Sequence, residues 1–241
     1  MADVTAHYQE LLAEVYSWLA GGADARIAEN RAFFAANGIA PRGCANAVDL
    51  GCGPGFQSIP LAEAGFAVTA IDLSAELLAE LKTHGGGLNI ITVQDDLLNF
   101  AAHVPARLEL AVCMGDTLTH LAGFGDVERL LREVHGRLEP GGKLVLTFRN
   151  LTPETPYADR FIPLRSDENM VFSCFLEFEG DHAIVHDLLY TRGAAGWELK
   201  KSFYKKLRIS PSWVMLVLES IPLRTASLRE ERGLATIIAE K

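Results

Sequence analysis

The sequence predicts an α/β fold in which a mostly parallel sheet alternates with helices, and three observations support it. A short apolar run ends at Asp49 and Leu50, and three alternate glycines and a helical stretch follow. Strand, glycine turn and helix in that order open the nucleotide-binding α/β folds. Between residues 66 and 148, strand-like and helical stretches alternate, which favours parallel pairing. After Asn150, strand-like runs follow one another directly, which predicts antiparallel hairpins.

Length, charge and cysteine usage limit the class of protein. A chain of 241 residues can hold one large α/β domain with a small subdomain. A net charge of −9 and a pI near 5.3 argue against a nucleic-acid partner, which requires a basic face. The opening Met-Ala-Asp-Val predicts no signal peptide, and the late apolar run at 213–218 is too short to span a bilayer. Four cysteines without a CxxC pair predict neither zinc nor disulfides. We therefore expect a cytoplasmic protein without a metal or a membrane partner, and the oligomeric state stays open.

The first 40 residues are expected to be helical. Apolar residues between positions 5 and 20 recur at helical spacing, and Gly21-Gly22 ends that pattern. A second helix is expected at 25–37, with Gly38 as its stop. We interpret residues 1–40 as a helical lid.

Residues 41–150 carry the alternating pattern of the core. Ser74 and Asp126 stand where N-caps of two helices are expected, and residues 139–142, Glu-Pro-Gly-Gly, are expected to form a turn. Strands are expected at 47–50, 66–72, 88–93, 108–114 and 143–148, with helices at 57–64, 75–83 and 126–138.

Residues 151–209 are expected to form an antiparallel insertion after strand five. Its three strand-like runs, 170–179, 182–191 and 197–209, are separated by glycine-containing turns. Ser210-Pro211 then opens a helix, because proline is favoured in a first turn. Runs at 223–228 and 234–240 predict a hairpin that completes the core sheet, so the whole chain is expected to be one domain.

The glycine turn itself points to a class of enzyme. Residues 49–55 read Asp-Leu-Gly-Cys-Gly-Pro-Gly, and the residue three after Gly53 is Phe56. The spacing is therefore G-x-G-x-G, whereas dinucleotide-binding folds use G-x-G-x-x-G. The segment resembles the first motif of class I S-adenosylmethionine (SAM)-dependent methyltransferases. That resemblance implies a Rossmann-like seven-stranded sheet with a reversed last strand, and SAM against Gly51, Cys52 and Gly53.

Acidic residues at two further strand ends fit the same ligand. Asp72 ends strand two, 17 positions beyond Gly55, where a carboxylate can accept from both ribose hydroxyls of an adenosyl group. The adjacent Leu73 is assigned to the same site. After strand three comes Asp95-Asp96-Leu97. The methyltransferase pattern implies that Asp96 accepts from the adenine amino group and that Leu97 meets the ring, with Asp95 a solvated neighbour.

Three stretches narrow the resemblance. Residues 112–121, Val-Cys-Met-Gly-Asp-Thr-Leu-Thr-His-Leu, resemble Cys-Leu-Gly-Asn-Ser-Phe-Ala-His-Leu of the glycine N-methyltransferases and related small-molecule enzymes. Residues 22–29, Gly-Ala-Asp-Ala-Arg-Ile-Ala-Glu, are similar to the Gly-Asp-Thr-Arg-Ser-Arg-Thr-Ala-Glu segment of that family. Residues 140–145 and Arg149-Asn150 match its Pro-Gly-Gly-Leu-Leu-Val and Arg-Asn. The resemblance extends from about Val15 to Asn150.

The resemblance implies roles for individual cofactor-site residues. Arg26 would hold the SAM carboxylate, a contact that suits a guanidinium group. Tyr16 matches an aromatic residue that lines the cofactor pocket. Met114 would contact the cofactor through its backbone, and His120 matches a histidine near the cofactor.

On the acceptor side, Arg149 matches the arginine that binds the glycine carboxylate, and Tyr204 would lie in the inserted strands. Two positions depart from the family: Asp116 replaces an asparagine and Leu19 replaces a functional tyrosine. Asp116 could orient an amine or cap the following helix. These departures leave the acceptor open, including whether nitrogen or oxygen is methylated.

The sequence thus predicts a SAM-dependent methyltransferase (EC 2.1.1.-) that acts on a small molecule, with an amine as the leading acceptor. Such a reaction needs alignment of nucleophile, methyl and sulfur, and no Ser-His-Asp constellation is seen. Two alternatives remain: a SAM-binding regulatory module without catalysis, and a nicotinamide oxidoreductase, which Phe56 and the closing hairpin disfavour.

Overall fold

The computed structural model describes residues 4–241, which form two β-sheets and the helices around them. Met1–Asp3, on which the expectation about a signal peptide partly rests, lie outside the described residues. The strands are β1 Asn46–Leu50, β2 Ala67–Asp72, β3 Ile90–Gln94, β4 Leu108–Cys113, β5 Leu138–Arg149, β6 Phe161–Ser166, β7 Met170–Glu179, β8 His182–Gly193, β9 Gly196–Leu207, β10 Arg224–Glu231 and β11 Leu234–Glu240. The helices are α1 Val4–His7, α2 Tyr16–Leu19, α3 Ala23–Ala36, α4 Ser58–Glu63, α5 Ala75–His84, α6 Phe124–Arg137 and α7 Pro211–Ser220.

The larger sheet has seven strands in the order β10-β11-β5-β4-β1-β2-β3. Strands β1 to β5 pair in parallel, whereas β11 runs antiparallel to both β5 and β10. The predicted sheet with a reversed strand at its end is confirmed. Because β1 to β4 are parallel neighbours, their carboxyl ends meet at one edge, where open α/β sheets bind ligands.

Helices cover both faces of this sheet. Apolar side chains of α3, α4 and α5 pack on one face and those of α6 and α7 on the other. Every residue of β4 is buried, as expected for a central strand covered on both sides. Phe66 and Phe148 are among the largest fully buried side chains, and each such burial contributes roughly 1.5–3 kcal/mol. The core thereby holds the carboxyl edge of the sheet in a fixed geometry.

The smaller sheet is antiparallel, with the order β6-β7-β8-β9, and follows β5 in the chain. Its three longer strands match the three predicted runs. The sequence analysis did not predict strand β6, because it contains Pro163 and proline argues against a strand interior. In the structure β6 is an edge strand, where proline is tolerated. One face packs on the N-terminal segment, where Phe172 and Leu189 contact Leu11, Leu12 and Val15.

Three local predictions were wrong. The expected continuous helix at 5–20 is broken into α1, a π-helical turn Tyr8–Leu12, a 3₁₀ turn Ala13–Val15 and α2. Val15 adopts φ −113° and ψ 2°, outside the helical region, and separates the 3₁₀ turn from α2. Asp126 does not cap α6: Gly123 is the N-cap and Asp126 lies in the first turn, near the positive end of the helix dipole.

The third wrong prediction is the turn expected at 139–142. These residues belong to β5, because Gly141 and Gly142 exchange backbone hydrogen bonds with Lys241.

Within residues 4–241, none of the helices combines the length and apolar character that a bilayer crossing requires.

Candidate functional site

A cavity of about 950 Å³ opens at the carboxyl edge of the larger sheet. Its size falls in the range that holds a cofactor or a drug-sized molecule. Its walls come from the glycine turn, the ends of β2 and β3, the segment after β4 and the N-terminal segment. Eight residues assigned to cofactor binding from the sequence line it: Tyr16, Gly51, Gly53, Asp72, Leu73, Asp96, Leu97 and His120.

The glycine turn forms one wall with its backbone. Gly51 has φ +72°, and a Cβ there would lie 2.2 Å from Cγ2 of Thr117. A Cβ on Gly55 would collide with Leu81 of α5. The turn therefore requires glycine both for its backbone conformation and for the close packing around it. Thr117, which the sequence did not single out, fixes the turn against the segment after β4.

Asp72 connects the glycine turn to the next helix. Its Oδ2 accepts a hydrogen bond from the Gly53 N–H at 2.7 Å and its Oδ1 accepts from the Ser74 N–H at 2.9 Å. Burial raises the pKa of the Asp72 carboxyl above its usual range, and these hydrogen bonds partly offset that effect. Each carboxylate oxygen keeps a second lone pair, so Asp72 can still accept from a ligand in the cavity. As predicted, Ser74 caps α5, since its Oγ accepts from the Leu77 N–H.

Asp95 and Asp96, which follow β3, have carboxylates with different hydrogen-bond partners. The Asp95 carboxylate is occupied by local partners, because it accepts from the Asn99 side chain, contacts His103 at 2.6 Å and accepts from the Asp96 N–H. Asp96 accepts from the Leu98 N–H and begins the 3₁₀ turn Leu97–Ala102. Both carboxylates border the cavity, and Asp96 has fewer partners. The adenine-binding assignment of Asp96 stays a prediction that this geometry supports.

Two tyrosines of the N-terminal segment, Tyr8 and Tyr16, line the cavity. The Tyr8 and Tyr16 rings lie 6.0 Å apart, and Tyr16 stacks on Phe56 of the glycine turn. The Tyr8 ring meets His120 edge-on at 6.0 Å. Tyr8 was not identified from the sequence, since the π-helical turn that begins there replaces the regular helix expected at 5–20.

His120 lies at the cavity with an unusual electrostatic environment. Its ring stacks on Tyr204 of β9 at 5.4 Å, and its buried Nδ1 has no hydrogen-bond partner among the described residues. Burial, with a smaller contribution from Lys206, lowers the pKa of His120 to about 3. The imidazole is therefore neutral at physiological pH, and a neutral ring nitrogen can accept a hydrogen bond.

Asp116 is held in an ion pair that the sequence did not reveal. Its Oδ2 accepts from Nζ of Lys206 at 2.5 Å and its Oδ1 accepts from the Arg149 N–H at 2.5 Å. Burial alone would raise the pKa of Asp116, but the Lys206 ammonium and these hydrogen bonds outweigh burial and lower it. Asp116 has φ +81° and its side chain does not cap the following turn. The carboxylate therefore acts as a fixed, ionised group with both oxygens engaged.

Besides Asp116, five assigned residues do not line the cavity. Arg26 donates from Nε to the Ala20 carbonyl at 2.5 Å and from Nη1 to Glu29 at 2.7 Å, so its guanidinium faces its own helix and the turn before it. Arg149 has an exposed side chain at the end of β5.

The other three are buried: Cys52, Met114 and Tyr204. Cys52 lies within the glycine turn, and the Met114 carbonyl accepts from Oγ1 of Thr117. Tyr204 lies between His120 and His7, with its ring 4.3 Å from that of His7. These three support the walls of the cavity from behind.

A metal-like cluster lies apart from the cavity. The ligand atoms of Cys44, Glu109 and Glu139 all lie within 4.8 Å of one another. The Glu109 carboxylate, however, already accepts backbone N–H bonds from Arg42, Gly43 and Ala45. Glu109 thus anchors the loop before β1.

Asp49, beneath the glycine turn, gives a prediction about stability. It accepts from Oγ of Ser58 at 2.6 Å, and burial raises its pKa to about 7. The unfolded chain ionises this carboxyl near pH 4, so between about pH 4 and pH 7 the folded state retains a proton that the unfolded state loses. Stability therefore falls as the pH rises through that window. We expect the melting temperature of Asp49→Asn, relative to that of wild type, to increase as the pH rises through the same window. The difference should reach several degrees at most.

Thermal unfolding at pH 5, 6, 7 and 8 measures this effect. Asp181→Asn, at an exposed aspartate, is the matched control and should follow wild type at every pH. A difference between Asp49→Asn and wild type that stays constant with pH would contradict the assignment.

Comparison with known proteins agrees with this geometry. Residues 47–142 match a family model described as a methyltransferase domain. A glycine/sarcosine N-methyltransferase of Halorhodospira halochloris is 37% identical over 111 residues, which cover 45% of this chain and 41% of the relative. A ubiquinone biosynthesis O-methyltransferase of Xanthomonas euvesicatoria pv. vesicatoria is 34% identical over 111 residues, 45% of each chain. These matches span less than half the length of the curated relatives.

A solved structure extends the similarity of the fold to nearly the whole chain. SAM-bound CalS10, an amino pentose methyltransferase from Micromonospora echinaspora, aligns with a TM-score of 0.74. The alignment covers 94% of this chain and 95% of CalS10, with 16% sequence identity. The strand order, the glycine turn and the family match agree. The chain therefore has the class I, Rossmann-like fold of the SAM-dependent methyltransferases, and its residues 47–142 match a methyltransferase domain model.

Proposed function

We propose that this protein transfers a methyl group from SAM to a small-molecule acceptor, with an amine as the leading class. The observation that carries the proposal is the Asp72 carboxylate, which borders the cavity beside the glycine turn and retains lone pairs for ribose hydroxyls. The curated relatives with N-methyltransferase and O-methyltransferase names support a small acceptor and leave its reacting atom open.

The residues at the cavity fit an adenosyl ligand. The backbone of Gly51 to Gly53 and the Asp72 carboxylate would hold the ribose side, and Asp96 and Leu97 would hold the adenine side, with Leu73 beside them. Tyr16 would cover the ligand, with Cys52, Met114 and His120 supporting it. Arg26 would bind the carboxylate of SAM after exchanging its contact with Glu29. When bound, SAM supplies a methyl group on a positively charged sulfur.

The contribution of the chain to the reaction is alignment and exclusion of water. Tyr8 and Tyr16 line the cavity, and their rings would keep water from the reacting groups. Correct positioning of two reactants can supply roughly 7–11 kcal/mol of the barrier. His120 is neutral and can accept a hydrogen bond at Nδ1. Asp116, Arg149 and Tyr204 are proposed to shape the acceptor side, with Asp116 fixed by Lys206 instead of free as a base.

A thermal-shift panel tests the cofactor. We expect S-adenosylhomocysteine and SAM to raise the melting temperature by roughly 5–10 °C at about 100 times Kd, which corresponds to roughly 2.7 kcal/mol. NADH and NADPH serve as matched adenine-containing controls and should give no shift. A shift with the nicotinamides alone would overturn the proposal.

A second assay separates an enzyme from a SAM-binding regulatory module. Formation of S-adenosylhomocysteine is followed with a panel of small amines and a matched panel of phenols and carboxylic acids. Turnover that depends on one acceptor class supports the proposed reaction and names the class. Tight SAM binding without turnover on any acceptor favours the regulatory module.

A further inference from the structure

The smaller sheet has one covered face and one open face. The inner face packs on the N-terminal segment through Phe172 and Leu189. We call the opposite side, which contains Phe161, Phe175, His186 and Phe203, the outer face. Within the described residues, strands β6 to β9 carry seven of the thirteen large apolar side chains that are exposed. Such a concentration is typical of an interaction surface, whereas single exposed apolar residues are ordinary.

A continuous aromatic row crosses the outer face. Phe161, Phe175, His186 and Phe203 are register partners on four adjacent strands. Successive ring centroids lie 4.6, 5.9 and 5.6 Å apart. Phe161 is 66% exposed and Phe203 is 48% exposed. The row offers a flat aromatic patch with no covering element in residues 4–241.

Charges on the outer face have opposite signs on the two sides of β8. In the row next to the aromatic row, Glu177 of β7 is opposite Ile184 of β8, and Ile184 is opposite Lys205 of β9. A two-fold axis parallel to the strands and lying in the interface plane above β8 would place Glu177 over Lys205 of a second copy, and the reverse. Within one chain Glu177 contacts His186 at 2.6 Å and Lys205 contacts Glu179 at 3.0 Å, but the side chains of Glu177 and Lys205 remain 51% and 46% exposed and can face a second copy. The same axis would place Phe175 over Phe203. An isologous interface requires this kind of self-complementarity.

The area of the outer face is adequate for a stable dimer. The two-fold arrangement superposes strands β7 to β9, which have 10, 12 and 12 residues. At about 4.8 Å per strand and roughly 3.4 Å per residue, these three strands present a face of about 550 Å². Two such faces bury about 1,100 Å² in total, which exceeds the roughly 1,000 Å² expected of a specific interface. Residues at the rim, such as Trp197, which is 47% exposed, add to that area.

We propose that the outer face of the smaller sheet binds the same face of a second copy of this chain, forming a two-fold dimer with the aromatic row at its centre. Lys205 also lines the cavity, so the proposed interface borders the cavity. The proposal rests on the sheet alone and does not depend on the proposed methyl transfer.

Sedimentation velocity and light scattering of the full chain test the proposal. We expect a particle of twice the 26.2 kDa chain mass at micromolar concentration. Phe203→Glu should weaken the dimer at least about 30-fold, as expected for a central aromatic residue, and give the single-chain mass. Ile91→Glu is the matched control, because Ile91 is an exposed apolar residue (64%) on strand β3 of the other sheet. That variant should remain a dimer.

A charge exchange tests the two-fold arrangement without removing an aromatic residue. Glu177→Lys and Lys205→Glu should each weaken the dimer, and the double variant should restore it, since opposite charges again face each other. Circular dichroism confirms that each variant is folded. A wild-type monomer at every concentration would overturn the proposal, as would a dimer that withstands Phe203→Glu in a folded variant. Failure of the double exchange to restore the dimer would overturn the two-fold arrangement.

Discussion

Asp72→Ala is expected to weaken binding of S-adenosylhomocysteine at least about 100-fold, measured by isothermal titration calorimetry. Hydrogen bonds to a charged group contribute roughly 1.5–3 kcal/mol each, and two ribose hydroxyls would lose theirs together. The substitution also leaves the N–H groups of Gly53 and Ser74 without the carboxylate that now accepts from them. The glycine turn would then lose its link to α5.

Asp126→Ala is the matched control for Asp72→Ala. Asp126 is a second carboxylate at the same cavity, from the first turn of α6, and hydrogen bonds do not tie it to the glycine turn. If the total charge of the cavity decided affinity, both variants would bind equally weakly. We expect Asp126→Ala to bind nearly as well as wild type. Unchanged affinity in Asp72→Ala would remove the ribose assignment and the main support for the proposed function.

Features encoded by short segments could be predicted from the sequence. The glycine turn is such a feature, because Gly51 and Gly55 need positive φ and space that only glycine allows. Asp72 followed from its place at a strand end, and Ser74 from its place before a helix. The seven-stranded sheet followed from the alternation of apolar strands and helices together with the closing hairpin.

Features made by distant segments could not be predicted in the same way. Lys206 and Asp116 are separated by 90 positions, and they meet because the smaller sheet packs against the segment after β4. Strand alternation places Tyr204 and Lys206 on one face of β9, but it does not say that this face is buried. Tyr8 depends on a π-helical turn that the apolar spacing does not indicate.

Lys206→Met is expected to destabilise the protein by about 3–5 kcal/mol, because it leaves the Asp116 carboxylate buried without its cation. The side chains of Lys206 and Asp116 are only 11% and 13% exposed, so water would screen them little. For a chain of this size, the melting temperature should fall by about 10 °C. Arg129→Met is the matched control: the Arg129–Glu133 pair on α6 is exposed, away from the cavity and the smaller sheet, and its loss should cost less than about 1 kcal/mol.

The pH dependence of this loss follows from the direction of the pKa shift. In wild type the pKa of Asp116 is lowered, so the pair stabilises the protein above the unfolded pKa, and that contribution is lost as the pH falls through the folded pKa. In Lys206→Met, the ammonium no longer opposes burial and the Arg149 N–H bond is the largest contribution that still does so, so we expect the pKa of Asp116 to rise. The variant should therefore lose most stability relative to wild type at pH 7–8 and approach wild type near pH 4. An equal loss at every pH would indicate a packing effect of the lysine side chain.

The double variant Asp116→Asn with Lys206→Met separates structure from function. It removes both buried charges, and replacing a whole ion pair with neutral groups is often neutral for stability. The Asp116→Asn change also introduces the asparagine that stands at this position in the N-methyltransferases that the sequence resembles. The amide oxygen of that asparagine can still accept from the Arg149 N–H. If the pair only holds β9 against the segment after β4, methyl transfer should recover together with the melting temperature. If the pair orients the acceptor, kcat/KM should stay low in a variant whose stability and SAM affinity are normal, and the acceptor profile should change.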